Sequence, residues 1–514
     1  MSPPFIETVG LVEGTTFLEI LSVQRSRQQL RELVKQHMQI EEPLLKQIGQ
    51  IADQLSIRAY AVGGFVRDYL LGKPAILRQA QETAGRQVKD IDVVVVGDGV
   101  GFGRHVAHAL GRTNLVVYEN FGTAMLQLDD CKLEFVGARK ESYSKYSRKP
   151  RVEVGTLEDD LSRRDFTVNA IAASLNVEDL GSVVDPFNGQ QAMSEKILRT
   201  PLEPEATFDD DPLRIMRAFR FAAQLGFTIE RSVLEAAKAM APRLKIVSQE
   251  RISDEFLKIL LSPKPSIGLK LMDAAGVMKV VFPEVSQMGG VDQRQDHHHK
   301  DVLFHTFKVV DNICEATDNI WLRMAALLHD IAKPRTKAFQ EGIGWTFHGH
   351  EEIGARMVKP IFRRMRFPLE HIAYVEKLVR LHLRPMALVD EGVTDSAVRR
   401  LLYEAGGEID DLMKLCRADI TSKNPKLVEQ VKKNYNSVVQ KMAEVEEKDR
   451  MRSWQPPVRG DEIMQVCGLE PGPLVGKLKH EIMEAILDGR IPNEHDAALE
   501  YLMKVKDQII QGTS

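Results

Sequence analysis

Two aspartates, Asp90 and Asp92, flank a single isoleucine in the run KDIDVVVV. On a strand, residues two apart project from one face. The pair therefore presents two carboxylates together, while Ile91 points to the opposite side. Neighbouring carboxylates repel unless a cation lies between them. Mg²⁺ prefers oxygen ligands and is held by one or two carboxylates plus substrate phosphates. Two such ions about 3.5–4 Å apart activate an attacking hydroxyl and stabilise a leaving pyrophosphate. Alone, the pattern reads first as an acidic strand end facing water. The stretch before it changes that reading. Gly63-Gly64 stands between a short strand and a helix, where main-chain N–H groups approach a phosphate closely. Arg67, one helical turn on, is placed to hold a triphosphate oxygen.

Asp211 and Arg214 stand three apart at a helix start and so share a face. Together they supply an acceptor and a fixed fork of donors, enough to pair with the Watson–Crick edge of a base. A capped helix with an ordinary ion pair is the plainer alternative. A third group is richer in imidazole: His305, then His329-Asp330 after the apolar run LRMAALL, then His350, His382 and Asp419. Imidazoles and carboxylates from separate helices enclose one or two transition metals, which activate water for phosphate-ester hydrolysis. His297-His298-His299 reads equally as a ligand contact or a solvated run.

The elements that must position these groups divide the chain. A helical pattern over 30–55 is followed by strands at Tyr60–Val62, Ile91–Val96, Leu115–Tyr118, Met125–Leu128 and Leu133–Val136, with a helix at Val66–Leu71. Beyond Pro204 the strand signals nearly vanish and amphipathic helical patterns run to the end. The class is α+β, a mixed-sheet head followed by an all-helical body. Lys140–Gly155 has no period and reads as a mobile loop. At 514 residues the chain needs several cores. Its formal net charge of −4 requires any nucleic acid to meet a local basic patch. Four scattered cysteines with no CxxC pair fit a reducing, cytoplasmic address. No apolar run is long enough for a membrane span, and the N-terminus lacks the look of a signal peptide.

GGFVRDYLLG followed by DIDVVVV resembles the signature of class II RNA nucleotidyltransferases of the DNA polymerase beta superfamily, a group holding CCA-adding enzymes and bacterial poly(A) polymerases. FGTA, RRDFTVNA, DPFNG and DDPLR follow in the family's order. The resemblance implies a polymerase-beta-like head with Asp90 and Asp92 as Mg²⁺ ligands. Glu134 is a third carboxylate or a surface glutamate. It implies nucleotide contacts from Gly63, Gly64, Arg67, Arg163, Arg164, Asp165 and Asn169, and from Asp211, Arg214, Arg217 and Arg220. Asp210 stands where the family usually has Glu, and Lys73–Lys89 is a surface insertion relative to the family.

The histidine–aspartate series resembles an HD phosphohydrolase domain. His305, His329, Asp330 and Asp419 form the first-metal set by that resemblance, and His350 and His382 match a second, with Ni²⁺, Mn²⁺ or Co²⁺ as candidate metals. A decayed HD scaffold is the alternative. The last segment resembles the helical tail of HD-bearing enzymes, which would hold tRNA by shape and backbone contacts. The expected organisation is an N-terminal extension (1–44), head (45–200), neck (201–290), HD domain (291–425) and tail (426–514). The expected activity is CCA addition to the tRNA 3′ end from CTP and ATP, with HD phosphohydrolysis beside it. A poly(A) polymerase and an HD phosphohydrolase with a nucleotide-binding head are the alternatives.

Overall fold

The computed structural model describes residues 37–72, 89–119, 122–142, 151–291, 301–390, 394–421, 424–449 and 456–511. It divides into two compact units. One runs through Arg214 and includes Phe227–Ala237; the other comprises Ile215–Gly226 and the chain from Lys238 onward.

The strands of the first unit are β1 (Ala59–Val62), β2 (Lys89–Val95), β3 (Leu115–Tyr118), β4 (Thr123–Gln127), β5 (Cys131–Gly137), β6 (Arg139–Ser142), β7 (Arg151–Val154), β8 (Ala172–Ser174), β9 (Val183–Val184), β10 (Ile197–Leu198) and β11 (Thr228–Ile229). Seven of them form one mixed sheet in the order β3-β4-β5-β2-β1-β8-β9. The β-branched run of β2 suits its central place; it pairs parallel with β5 and antiparallel with β1. Ile91, Val93 and Val95 are buried on one face of β2. On the other face Val94 joins a core with Tyr60, Val62, Leu161, Ala170 and Ala172. The carboxylates of Asp90 and Asp92 precede Val94 on that same face, where the strand leaves the core. The helix Gly99–Ala109, capped by Asp98 accepting from the Gly101 N–H, packs on β4 and β5. Its Gly103 allows the close approach, since a Cβ there would lie 2.9 Å from that of Ala124.

The expected first helix is shorter among the described residues. It begins at Pro43, and residues 38–42 are non-helical. Proline at the first helical position sets φ for the helix while pushing its predecessor to extended backbone. Lys140–Gly155 is also not loop throughout, because β6 and β7 pair from Arg139↔Val154 to Ser142↔Arg151. The insertion up to residue 88, Phe121 of FGTA, residues 143–150 and His297–His299 lie outside the described residues.

In the second unit five helices carry the imidazole group: Val302–Cys314, Ile320–Leu328, His350–Met365, Ile372–Leu381 and Ile409–Ala418. Asp301 and Asn319 cap the first two. The helix Ile320–Leu328 is buried from Leu322 onward and so occupies the middle of the bundle. A short hairpin, β12 (Ala338–Gln340) and β13 (Gly344–Thr346), interrupts the helices. Towards the C-terminus, Gly460–Cys467, Pro473–Leu487 and His495–Gln511 close a separate core around Ile463, Leu478, Ile482 and Leu502. Among the described residues no helix is long and apolar enough to cross a membrane.

Candidate active sites

The head site forms where β1 ends against β2. Val62 pairs with Asp92, and the next residue, Gly63, turns the chain with φ 74°. A Cβ at Gly63 would lie 3.0 Å from Arg164 Nη1 and 3.4 Å from Asp92 Oδ2, so this turn, an arginine and a carboxylate meet at one point. In the parallel β2–β5 register Asp92 faces Glu134 and Asp90 faces Lys132. All four side chains therefore occupy one patch of the sheet, and all are partly exposed. The Lys132 ammonium stands 4.0 Å from Asp90 Oδ1 and 3.9 Å from Glu134 Oε2. Lys132 is not among the site residues expected from the sequence. The alternation in CKLEFV puts it on the face of Glu134, but only the strand register reveals its carboxylate neighbours. The three carboxylates are an all-oxygen set that fits Mg²⁺.

Arg67 sits deeper than its sequence position suggested. It is 2% exposed and donates to Asp68 Oδ1 and to Asn169 Oδ1, each at 2.7 Å. Asn169 in turn donates to Asp165 Oδ1 at 2.9 Å, which also accepts from the Phe166 N–H. Arg67, Asp165 and Asn169 thus tie the helix Gly64–Leu70 to the RRDFTVN segment. A second residue missed by the sequence reading holds the arginines of that segment. Asp160, fully buried, accepts from Arg163 at Oδ1 and from Arg164 at Oδ2, the latter through Nε at 3.3 Å and Nη2 at 3.1 Å. Burial raises the Asp160 pKa, but the two guanidinium groups outweigh it and hold the carboxyl below its ordinary value. Asp160 lies on the helix Leu157–Ser162, whose start is fixed by a Thr156–Asp159 capping box.

Asp211 is extended backbone between the helices Pro204–Asp210 and Leu213–Leu225, and its Oδ1 accepts from the Leu213 N–H. Arg214 donates to the main-chain carbonyls of Thr207 and Arg163. Arg217 and Arg220 belong to the second unit, where Glu255 pairs with both, Arg220 at 2.7 Å and Arg217 at 4.0 Å.

In the second unit all six expected ligands converge. His329, His382 and Asp419 each follow directly on the last residue of a helix, and His350 opens one. The final carbonyls of a helix lack intrahelical donors. Ala326 O and Val379 O therefore meet Nδ1 of His329 and His382, at 2.8 and 2.7 Å, and Phe347 O meets Nδ1 of His350 at 2.7 Å. Such contacts fix the ring and turn Nε2 inward. The three Nε2 atoms are buried without hydrogen-bond geometry to any partner. His305 is held by Thr421 at 2.9 Å, a contact the sequence did not suggest.

Asp330 divides the cluster. Its Oδ2 faces His329 Nε2 at 3.2 Å and His305 Nε2 at 3.6 Å, and its Oδ1 faces His350 Nε2 at 3.3 Å and His382 Nε2 at 3.8 Å. Asp419 Oδ1 adds 2.9 Å to His305 and 3.5 Å to His329. Two ligand groups result, His305–His329–Asp419 and Asp330–His350–His382, with Asp330 reaching both. Burial opposes the imidazolium at His329, yet Asp330 and Asp419 lift it to about 10; burial and the adjacent His329 lower His382 to about 4. A metal ion entering such a cluster displaces protons. The orphaned imidazole nitrogens and the shared carboxylate fit a transition-metal pair.

Family models match the chain in three successive parts: a poly A polymerase head domain over residues 59–199, a "Probable RNA and SrmB- binding site of polymerase A" over 226–288, and an HD domain over 302–422. An A-adding tRNA nucleotidyltransferase from Deinococcus radiodurans is 32% identical over 351 residues, which is 66% of this chain and 78% of that protein. A multifunctional CCA protein from Nitrosococcus oceani is 32% identical, over 63% of this chain and 74% of its own length. A CCA-adding enzyme solved in an apo form shares the fold, with a TM-score of 0.60 at 22% identity over 90% of this chain and 96% of that one. At 32% identity over 78% of the Deinococcus enzyme's length, with the head and HD models matched in the same chain, the protein belongs to the tRNA nucleotidyltransferase family and is itself a nucleotidyltransferase.

Proposed function

We propose that this enzyme adds C, C and A in turn to the tRNA 3′ end, taking them from CTP and ATP without a nucleic-acid template. The observation behind the nucleotidyl-transfer chemistry is the pairing of Asp92 with Glu134 beside Asp90, under the Gly63 turn and Arg164. Asp90, Asp92 and Glu134 would hold Mg²⁺, which would supply charge neutralisation for the reacting oxygens. The terminal ribose hydroxyl attacks the α-phosphorus, the α–β phosphoanhydride bond breaks, and pyrophosphate leaves as the hydroxyl proton passes to solvent. Arg163 and Arg164, oriented by Asp160, hold the triphosphate. Asp211 and Arg214 read the base, for which Arg214 exchanges one of its carbonyl partners. The helical body and tail (426–514) hold the tRNA by shape.

The multifunctional CCA relative supports the full reaction, and the A-adding relative favours a second reading, addition of the last A alone. The assay uses tRNA ending before CCA and tRNA ending in CC, each with single triphosphates. Extension of the first by CTP and of the second by ATP supports full addition. Extension only of CC-ended tRNA by ATP selects the second reading, and extension of poly(A) alone selects a poly(A) polymerase.

The HD cluster, we propose, is an independent phosphohydrolase using Ni²⁺, Mn²⁺ or Co²⁺ on a substrate such as a 2′,3′-cyclic phosphate. His305, His329, Asp330 and Asp419, with His350 and His382 beside them, would hold the metal, which would supply an activated water. Water oxygen bonds to phosphorus, one P–O bond to ribose breaks, and the proton ends on the freed ribose hydroxyl. His329→Ala should abolish this hydrolysis and spare nucleotide addition. Absence of hydrolysis by the unaltered protein with each of these metals and Mg²⁺ would leave the cluster a scaffold.

A further inference from the structure

The segment between the ligands Asp330 and His350 does more than connect them. It carries the β12–β13 hairpin, turned at Gly342 with φ 81°. Phe339 and Trp345 pair across its two strands with ring centroids 5.3 Å apart, edge to face. Both are exposed, Phe339 by 55% and Trp345 by 38%. The Lys337 ammonium lies 4.3 Å from the Trp345 ring centroid.

Both ends of the segment are fixed to the metal cluster. At one end Lys333 Nζ contacts Asp330 Oδ2 at 2.8 Å and lies 5.6 Å from the Phe347 ring centroid. At the other, the Phe347 carbonyl meets the His350 ring. The chain leads from the exposed indole of Trp345 to a ligand imidazole in five residues. Within the segment Lys333, Arg335 and Lys337 outnumber the acidic Glu341. Exposed aromatic rings interleaved with cations, on the segment that joins Asp330 to His350, suit a ligand with a flat base and an anionic phosphate.

We propose that the β12–β13 hairpin is a base-stacking platform that selects nucleoside phosphates, either an RNA 3′ end or a free mononucleotide, for the HD cluster. The proposal rests on the phosphohydrolase reading above and adds the residues that recognise the base of its substrate. Trp345, with Phe339 buttressing it, stacks on the base; Lys337 and Lys333 draw in the phosphate. Both rings are positioning residues for the reaction.

The test compares full-length protein with F339A/W345A and W345F. Substrates are 2′,3′-cyclic AMP, an oligoribonucleotide ending in a 2′,3′-cyclic phosphate, and base-free glycerol 1,2-cyclic phosphate. Stacking on an aromatic ring corresponds to about a 5- to 150-fold change per base. The double variant should lose about that much kcat/KM on the nucleotides, through KM, with the base-free ester unaffected and W345F retaining most of the wild-type value. A larger loss on the oligonucleotide identifies an RNA end, and an equal loss a mononucleotide. No loss, or an equal loss on the base-free ester, would overturn the platform. A second readout needs neither metal nor turnover: AMP should quench tryptophan fluorescence in the wild type and not in W345F. If the wild type hydrolyses none of the esters, the phosphohydrolase reading fails, and the quenching alone decides the platform.

Discussion

Arg214 Nη2 donates to the main-chain carbonyl of Arg163 at 2.5 Å, while its Nη1 donates to Thr207 O at 3.1 Å. The side chain assigned to the base is thus latched to the backbone of an arginine assigned to the triphosphate. On the proposed roles, base choice and phosphate placement share this one contact.

Arg214→Ala should therefore change two quantities. A buried polar group left unpaired costs about 1–3 kcal/mol, so losing the reader should narrow the preference for CTP and ATP over UTP and GTP by about 5- to 150-fold. KM for every triphosphate should rise as well, because Arg163 loses its latch. Single-nucleotide incorporation across all four triphosphates measures both. An unchanged preference profile would place base reading elsewhere.

Asp92→Ala should reduce nucleotide addition by about 10³-fold or more, since the metal at a reacting phosphate is worth several kcal/mol. Ile91 and Val93 keep β2 in its core, so the thermal midpoint should hold. Extension of tRNA at a near-normal rate by this variant would remove the carboxylate assignment.

Gly63→Ala should damage both fold and reaction. A side chain at φ 74° and ψ −135° is strained, by about 1–3 kcal/mol, and the added Cβ presses on Arg164 Nη1 at 3.0 Å. A lowered melting temperature together with a raised KM for CTP is the expected pair of results. A variant matching wild type in both would show that the turn tolerates a side chain.

The Asp160 pair gives a pH signature. Its folded pKa is below the ordinary carboxylate value, so its stabilisation is complete above the unfolded pKa and is lost as pH falls towards the folded one. Melting temperature should fall on acidification below about pH 4, and Asp160→Asn should show a lower plateau with a shallower acid limb. Parallel acid limbs in the two proteins would deny Asp160 this role.

Metal content separates the two halves of the HD cluster. The unaltered protein should bind two transition-metal ions there, and His350→Ala should bind one, because Asp330 Oδ2, His305, His329 and Asp419 stay in place. Elemental analysis after dialysis reads the number directly. Complete loss of metal in His350→Ala would mean that the two groups form a single site.

Strand β2 and its paired carboxylates were legible because β-branching and a period of two are local signals. The six HD residues that converge were legible through their order, although Thr421 and the helix-end carbonyls that aim the rings were not. Sequence placed Arg67 one turn from the glycines but had no signal for its burial against Asn169, a contact spanning 102 residues. Asp160 looked like one acid among several in LEDD; only packing distinguishes it from Glu158 and Asp159. The β12–β13 strands are three residues each, too short for alternation to register.

Lys132 gives the head an internal counter-ion. Its ammonium lies 4.0 Å from Asp90 and 3.9 Å from Glu134, softening the repulsion that would otherwise splay the acidic strands. A divalent ion arriving alone must displace a charge already in residence, whereas one escorted by a triphosphate brings phosphate oxygens that can receive the ammonium. Loading of metal and nucleotide should then be concerted, and the resting protein should have little appetite for Mg²⁺. With the HD cluster first loaded with Ni²⁺ and the excess dialysed away, Mn²⁺ titration without nucleotide should find tighter binding in Lys132→Met than in the wild type; equal affinities would make the lysine a bystander.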